Sequence, residues 1–333
     1  MVRRQPQVRY GIAELFGFQI DRISKKERDS LLKYSLSSSI ANYPVCPFRL
    51  PDKKGNRSCT KQGGVCSIRR YINDDGLLDR LPGSEGTLTV TCPNRFHEDM
   101  EIFRWVGEQV LEIQDIKDLI LTKEVFFLEN PNQNNQAAID DDAEKTSENV
   151  GRIDLILLDR RSLSTDYLRW CALEIQAVYF SGKGMKSQFK SILEYDDDTI
   201  PFPNATRRPD YRSSGPKRLM PQLQIKIPSL RRWGKKMAVV VDNHFFDWIG
   251  YMEKVRDISN SDIIWFVVGF DEQGIRAKLR RDRIIYTTLE RAIDGLTGGI
   301  PVALRIFEDR IRENVSKEEQ NERNTGKLSF ISD

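Results

Sequence analysis

The chain of 333 residues lacks several features that would assign its class at once. No apolar run approaches the roughly 20 residues of a membrane-spanning helix, so no membrane partner is expected. The first residues, MVRRQPQVRYGIAELFGF, have basic side chains but no sustained apolar core or small-residue cleavage site. No secretion signal is expected, and the expected compartment is the cytoplasm. Net charge is only +3, so any nucleic-acid surface must come from local clustering. There is no internal repeat and no Cys-x-x-Cys pair, and five cysteines are an odd number for a disulfide framework. Histidine occurs twice: His97 reads as a capping or surface residue and His244 as structural.

What is present is 39% hydrophobic and 30% charged, enough for a sizeable core. The most telling stretch is 151–180, GRIDLILLDRRSLSTDYLRWCALEIQAVYF. It reads as two apolar strands joined by a polar connection. The first carries Asp154; the second carries Glu174 and Gln176, with Cys171 as a small core residue. Side chains alternate along a strand with a period of two, so Glu174 and Gln176 share a face and a paired strand can bring Asp154 beside them. An acid in an apolar strand is costly unless it is paired or holds a metal. Two acids and an amide form an oxygen ligand set that suits Mg²⁺.

The hairpin resembles the active-site hairpin of the PD-(D/E)xK nuclease fold. Asp154 takes its first position and Glu174 its second, while Gln176 stands where Lys is usual and removes a cation. A helix over 185–195 follows. Segments 236–242 (KMAVVVD) and 262–270 (DIIWFVVGF) are apolar enough for central strands covered on both faces. A short helix is expected over 287–296. The expected class is α/β, a mixed central sheet flanked by helices.

Cys46, Cys59, Cys66 and Cys92 fall in a segment rich in Gly and Pro, spaced C-x12-C-x6-C-x25-C. Glycine and proline let a backbone fold tightly around a thiolate-bound ion. Four soft ligands suggest a tetrahedral site for zinc or for one iron. Elsewhere, 1–45 reads as helical, and so does 96–121, with Phe103, Val106, Val110, Ile113 and Leu121 at mostly helical spacings. Glu101 and Glu108 are expected on its solvated face, either being a candidate extra metal ligand. Residues 130–149 read as a flexible acidic loop. Residues 201–236 hold ten basic side chains and one acid, Asp210, with Tyr211 and Trp233 interleaved. Their prolines and Ser-Gly point to shaped loops rather than a helix. Arg207, Arg208, Arg212, Lys217, Arg218, Arg231 and Arg232 are the candidate DNA contacts, with Lys226, Lys235 and Lys236 in the same stretch.

EIQAVYFSGKGM after Glu174, the block RRPDYRSSGPKRLMPQLQ and the four cysteines together resemble the NotI-type type II restriction endonucleases, which include EagI-like proteins. That resemblance implies a PD-(D/E)xK core with a small N-terminal metal fold, in which Cys46, Cys59, Cys66 and Cys92 bind one structural iron. It implies a homodimer that cuts a GC-rich palindrome centred on GGCC, leaves 5′ overhangs, uses Mg²⁺ and works beside a cognate DNA methyltransferase. The corresponding division is 1–95 for the cysteine fold, 96–315 for the nuclease core and 316–333 for a flexible tail. Two readings stay open beside it. One is a PD-(D/E)xK repair nuclease without sequence specificity. The other is a non-catalytic DNA-binding regulator with a zinc-ribbon-like module.

Overall fold

The computed structural model describes residues 6–52, 54–74, 77–128, 151–297 and 302–325. The acidic loop expected over 130–149 lies outside the described residues. The chain forms two compact units, Met1–Thr297 and Gly298–Asp333.

The N-terminal part is built on a sheet, where the sequence suggested helix and loop. Strand β1 (Gln7–Leu15) pairs with β2 (Phe18–Gln19). Helix α1 (Lys25–Leu36) follows, its start fixed by a Ser24–Glu27 capping box. Then come β3 (Val65–Asp74), β4 (Leu77–Arg80) and β5 (Thr89–Val90), giving the order β2-β1-β3-β4 with β5 also on β3. The far half of β1, from Gly11 to Leu15, is buried at every position, so it shows no polar alternation that would mark it as a strand.

Helix α2 (Glu101–Leu111) ends earlier than the periodicity predicts. Glu112 turns into the left-handed region at φ 55°, and Leu119–Phe126 forms strand β6 instead. The expected hairpin is there: β7 (Arg152–Asp159) runs antiparallel to β8 (Trp170–Ile175). Next come β9 (Tyr179–Gly182), α3 (Lys186–Leu193), β10 (Arg207–Asp210), the single turn α4 (Tyr211–Ser214), a π-turn, and α5 (Met220–Arg232). Residues 211–232 are therefore helical, not a loop system. Pro221 sits in the first turn of α5, where its missing N–H costs nothing. Pro228 does interrupt the helix interior, but burial of Leu223, Ile227 and Leu230 holds the helix through it.

The central sheet is completed by β11 (Met237–Asp242), α6 (Asn243–Trp248), β12 (Ile263–Asp271), β13 (Lys278–Thr287) and α7 (Leu289–Thr297). Its order is β13-β12-β11-β8-β7-β6, with β8, β11 and β12 parallel. The apolar strands β11 and β12 are buried on both faces, as expected. Met237, Val239, Val241, Ile263, Trp265 and Val267 pack with Leu219, Leu223, Ile227 and Leu230 on one side. Ala238, Val240, Ile264, Phe266 and Val268 pack with Phe103, Trp105 and Val106 of α2 on the other. Period two in the strand thus feeds two cores, and the mixed α/β class is borne out.

In the second unit, α8 (Leu304–Thr325) continues past Ser316, where the sequence suggested a flexible tail. Before that point Arg312 pairs with Glu308 and Asp309 at helical spacing. Among the described residues, no helix is long and apolar enough to cross a membrane.

His97 is half-buried. It packs on Phe103 with ring centroids 5.3 Å apart, and its Nδ1 finds no hydrogen-bond partner among the described residues. Burial, with Lys123 nearby, pushes its pKa down to about 4. The unfolded chain protonates this histidine near its ordinary pKa of about 6.5, whereas the folded chain resists until about 4. The unfolded state therefore binds more protons in that window, and stability falls as pH drops through it. His97→Phe is expected to remove about 2–3 kcal/mol of the stability lost between pH 6.5 and 4, read by urea unfolding at both pH values. An unchanged acid loss would mean that the imidazole is solvated.

Candidate active site

The register Leu155↔Leu173 of the β7–β8 pair, continued by one step, sets Asp154 opposite Glu174. Opposite residues of an antiparallel pair point to one face, here the face covered by α5. Lys226 of α5 reaches across to both acids. Its Nζ donates to Glu174 Oε2 at 2.8 Å, to Asp154 Oδ2 at 3.2 Å and to Gln222 Oε1 at 2.7 Å. Gln222 and Lys226 are four residues apart, so they are neighbours on one helix face. Glu174 is 6% exposed and Lys226 5%, while the Asp154 side chain is 44% exposed and opens the pair to solvent. Burial pushes the Glu174 carboxyl above its usual range, and the Lys226 ammonium pulls against that shift.

Gln176 lies just beyond the end of β8, buried, with its Nε2 donating to the Ala177 carbonyl at 2.6 Å. Glu174 and Gln176 line one cleft of about 260 Å³ with Tyr179, Arg218, Gln222 and Lys61. Thr91 and Pro93, which flank Cys92, form part of the same wall. The cysteine-bearing segment thus borders Glu174.

Cys46, Cys59, Cys66 and Cys92 are buried free thiols, as is Cys171. Cys59 is pushed up to about 11, by burial first and then by the charges of Cys46 and Cys92. Cys66 is raised by burial and likewise by Cys92 and Cys46. The half-buried Lys61 ammonium feels Cys92, Cys66 and Cys59 together. The four sulfurs are therefore electrostatic neighbours. Among the described residues, however, no three or more His, Cys, Asp or Glu side chains are grouped so as to hold a metal ion. Glu101 and Glu108 have a cation already: Arg281 binds both. His244 bonds Thr87 through its ring nitrogen, a structural contact.

The basic stretch divides. Arg208, Arg212, Lys217, Arg218 and Arg232 are exposed. Arg218 lies over the Tyr179 ring and donates to its hydroxyl at 2.7 Å, inside the cleft. Arg207 is 2% exposed and is committed to the Lys183 and Gly184 carbonyls, Gln188 and Ser187. Arg231 is tied to Asp262 and Glu290. Lys226, grouped by sequence with the phosphate-facing cations, instead points into the protein at the acids. It was missed because its partners lie 52 and 72 residues away. The available signal was helical spacing, since Leu219, Leu223, Lys226, Ile227 and Leu230 share one face.

Residues 30–279 match the family model "Restriction endonuclease NotI", three quarters of the chain. The chain belongs to the NotI restriction endonuclease family. It is accordingly a site-specific deoxyribonuclease, a hydrolase acting on double-stranded DNA. Family membership favours the nuclease over the non-catalytic regulator. No curated protein matches the chain.

Proposed function

We propose that this NotI-family enzyme cuts both strands of a GC-rich palindrome, centred on GGCC, by Mg²⁺-dependent phosphodiester hydrolysis that leaves 5′ overhangs. The centre is of PD-(D/E)xK type with an E-x-Q variant: Asp154 and Glu174 hold the metal, and Gln176 orients the attacking water or completes the shell. The observation that carries the reading is the convergence of Asp154 and Glu174, close enough together for both to bond one ammonium. A pair of carboxylates that already holds a monovalent cation has the donor chemistry for a hard divalent one. When bound, Mg²⁺ activates water and offsets charge developing at the scissile phosphate. Glu174 is fixed by its burial in β8, and the more exposed Asp154 can meet a phosphate from solvent. Arg218, in the same cleft, and Arg208, Arg212, Lys217 and Arg232, on the surface, are positioned to take DNA phosphates or guanine edges.

A homodimer follows from the palindrome, because two-fold symmetry in the site asks for two-fold symmetry in the protein. A cognate methyltransferase protects the host sequence, and the pair works in the cytoplasm. The deciding experiment is digestion of large genomic DNA followed by sequencing of the ends. Ends that converge on one GGCC-centred palindrome with 5′ overhangs support the reading; heterogeneous ends overturn it in favour of a repair nuclease.

The four thiols Cys46, Cys59, Cys66 and Cys92 are read as a structural site for iron, with zinc as the alternative. Four soft sulfurs beside the half-buried Lys61 ammonium suit an anionic tetrathiolate centre. The double substitution Cys59→Ser, Cys66→Ser is expected to remove the bound metal, measured by elemental analysis, and to lower the melting temperature. Unchanged metal content would reject this assignment.

A further inference from the structure

We propose that Lys226 supplies, from helix α5, the lysine charge that position 176 lacks at the reaction centre. The inference rests on the assignment of Asp154 and Glu174 as the metal-holding pair.

Gln176 is neutral, and its amide group is turned to the Ala177 carbonyl. Among the described residues the strands bring Arg152 to Asp154 at 3.6 Å but no cation shared by the two acids. Lys226 fills that lack by another route. Its ammonium is the one group that touches both Asp154 and Glu174, among the described residues. All three of its N–H groups are matched, by two carboxylates and by Gln222. The side chain stands on a helix face otherwise given to Leu219, Leu223, Ile227 and Leu230. An ammonium placed in such a face costs several kcal/mol to desolvate, and an apolar residue would pack there more favourably. A lysine at that position is explained by a need for charge at the two acids. The phosphate attacked there gains negative charge in the transition state, and a fixed, buried ammonium stabilises that charge without reorganisation. Lys226 acts through its charge and its hydrogen bonds; no proton transfer is assigned to it.

The test moves the lysine. Lys226→Met is expected to lower single-turnover cleavage about 10²-fold or more, while Ca²⁺-supported binding to cognate DNA stays within about threefold. Adding Gln176→Lys to that variant returns the charge from the strand and is expected to restore cleavage about tenfold or more. A second readout needs no turnover. Lys226→Met takes from the two acids the cation they share, so its melting temperature falls in EDTA and Ca²⁺ raises it more than in the wild type. If Lys226→Met does not fold, Lys226→Gln, which keeps donors but no charge, is measured in its place with the same expectations. Cleavage by the neutral variant within about threefold of wild type overturns the proposal, as does a folded double variant with no recovery. Loss of fold in both neutral variants makes Lys226 a structural cation only, and equally overturns it. Glu174→Gln is run alongside: full activity there removes the site itself, whereas an inactive Glu174→Gln beside an active Lys226→Met removes only the role of Lys226.

Discussion

Glu174→Gln leaves cognate DNA binding in place and lowers cleavage at least about 10³-fold. The substitution keeps the volume of the side chain, and its carbonyl oxygen still accepts from Lys226. The fold around β8 is therefore retained, and the carboxylate charge is what is lost. Glutamine is preferable to alanine for that reason: truncation at a site 6% exposed opens a cavity and leaves the Lys226 ammonium short of an acceptor. Cleavage is read in Mg²⁺ by single-turnover kinetics and binding by gel shift in Ca²⁺. A Glu174→Gln enzyme that cuts within tenfold of wild type would remove Glu174 from the metal-holding pair.

Arg95→Met is expected to cost about 3–5 kcal/mol of stability, the largest loss foreseen for a residue outside the site. Its fully buried guanidinium donates to Glu14 of β1 at 2.9 Å, to Glu98 at 2.9 Å and to the Ala277 carbonyl at 2.8 Å. It also lies between two rings, 4.3 Å from the Phe48 centroid and 4.6 Å from that of Phe270. Phe48 belongs to the N-terminal cysteine-bearing region and Phe270 to β12, so one cation joins the two sheets. Removing it leaves the Glu14 carboxylate buried with, among the described residues, Ser67 as its remaining side-chain donor, and breaking a buried pair from one side is strongly destabilising. Urea unfolding of wild type, Arg95→Met and the double variant Arg95→Met, Glu14→Leu checks this. The double variant is expected to lose less than the sum of the single losses, because the pair is coupled. A loss below about 1 kcal/mol for Arg95→Met would show the cluster to be hydrated.

What was legible in the sequence is what local pattern encodes. Asp154 and Glu174 stood out because acids are costly in apolar strands, and the β7–β8 hairpin places them opposite one another. The central strands β11 and β12 were legible from unbroken β-branched and aromatic runs, and β11 is buried throughout. The misses have physical causes too. Strand β1 is buried at each of its last five positions, so it lacks alternation. Helix α5 was hidden by prolines, one harmless in its first turn and one tolerated because the helix is held by its core face. Lys226 was hidden by its company. In a stretch of ten basic residues, residue type does not separate a cation for DNA from a cation for two acids; only helical spacing, which puts Lys226 on the apolar face of α5, does. Arg207 was hidden in the same way, since its burial depends on α3 and the loop before it. Long-range pairing, not residue type, decides which cation does which task.

The most direct test of the Asp154–Glu174 centre is a crystal of the enzyme with cognate DNA, soaked with Mn²⁺ in place of Mg²⁺ and read by anomalous scattering. A peak held by Asp154 and Glu174 at the scissile phosphate is the result expected. An occupied Mn²⁺ site elsewhere, with both carboxylates still bound to Lys226, would contradict the account.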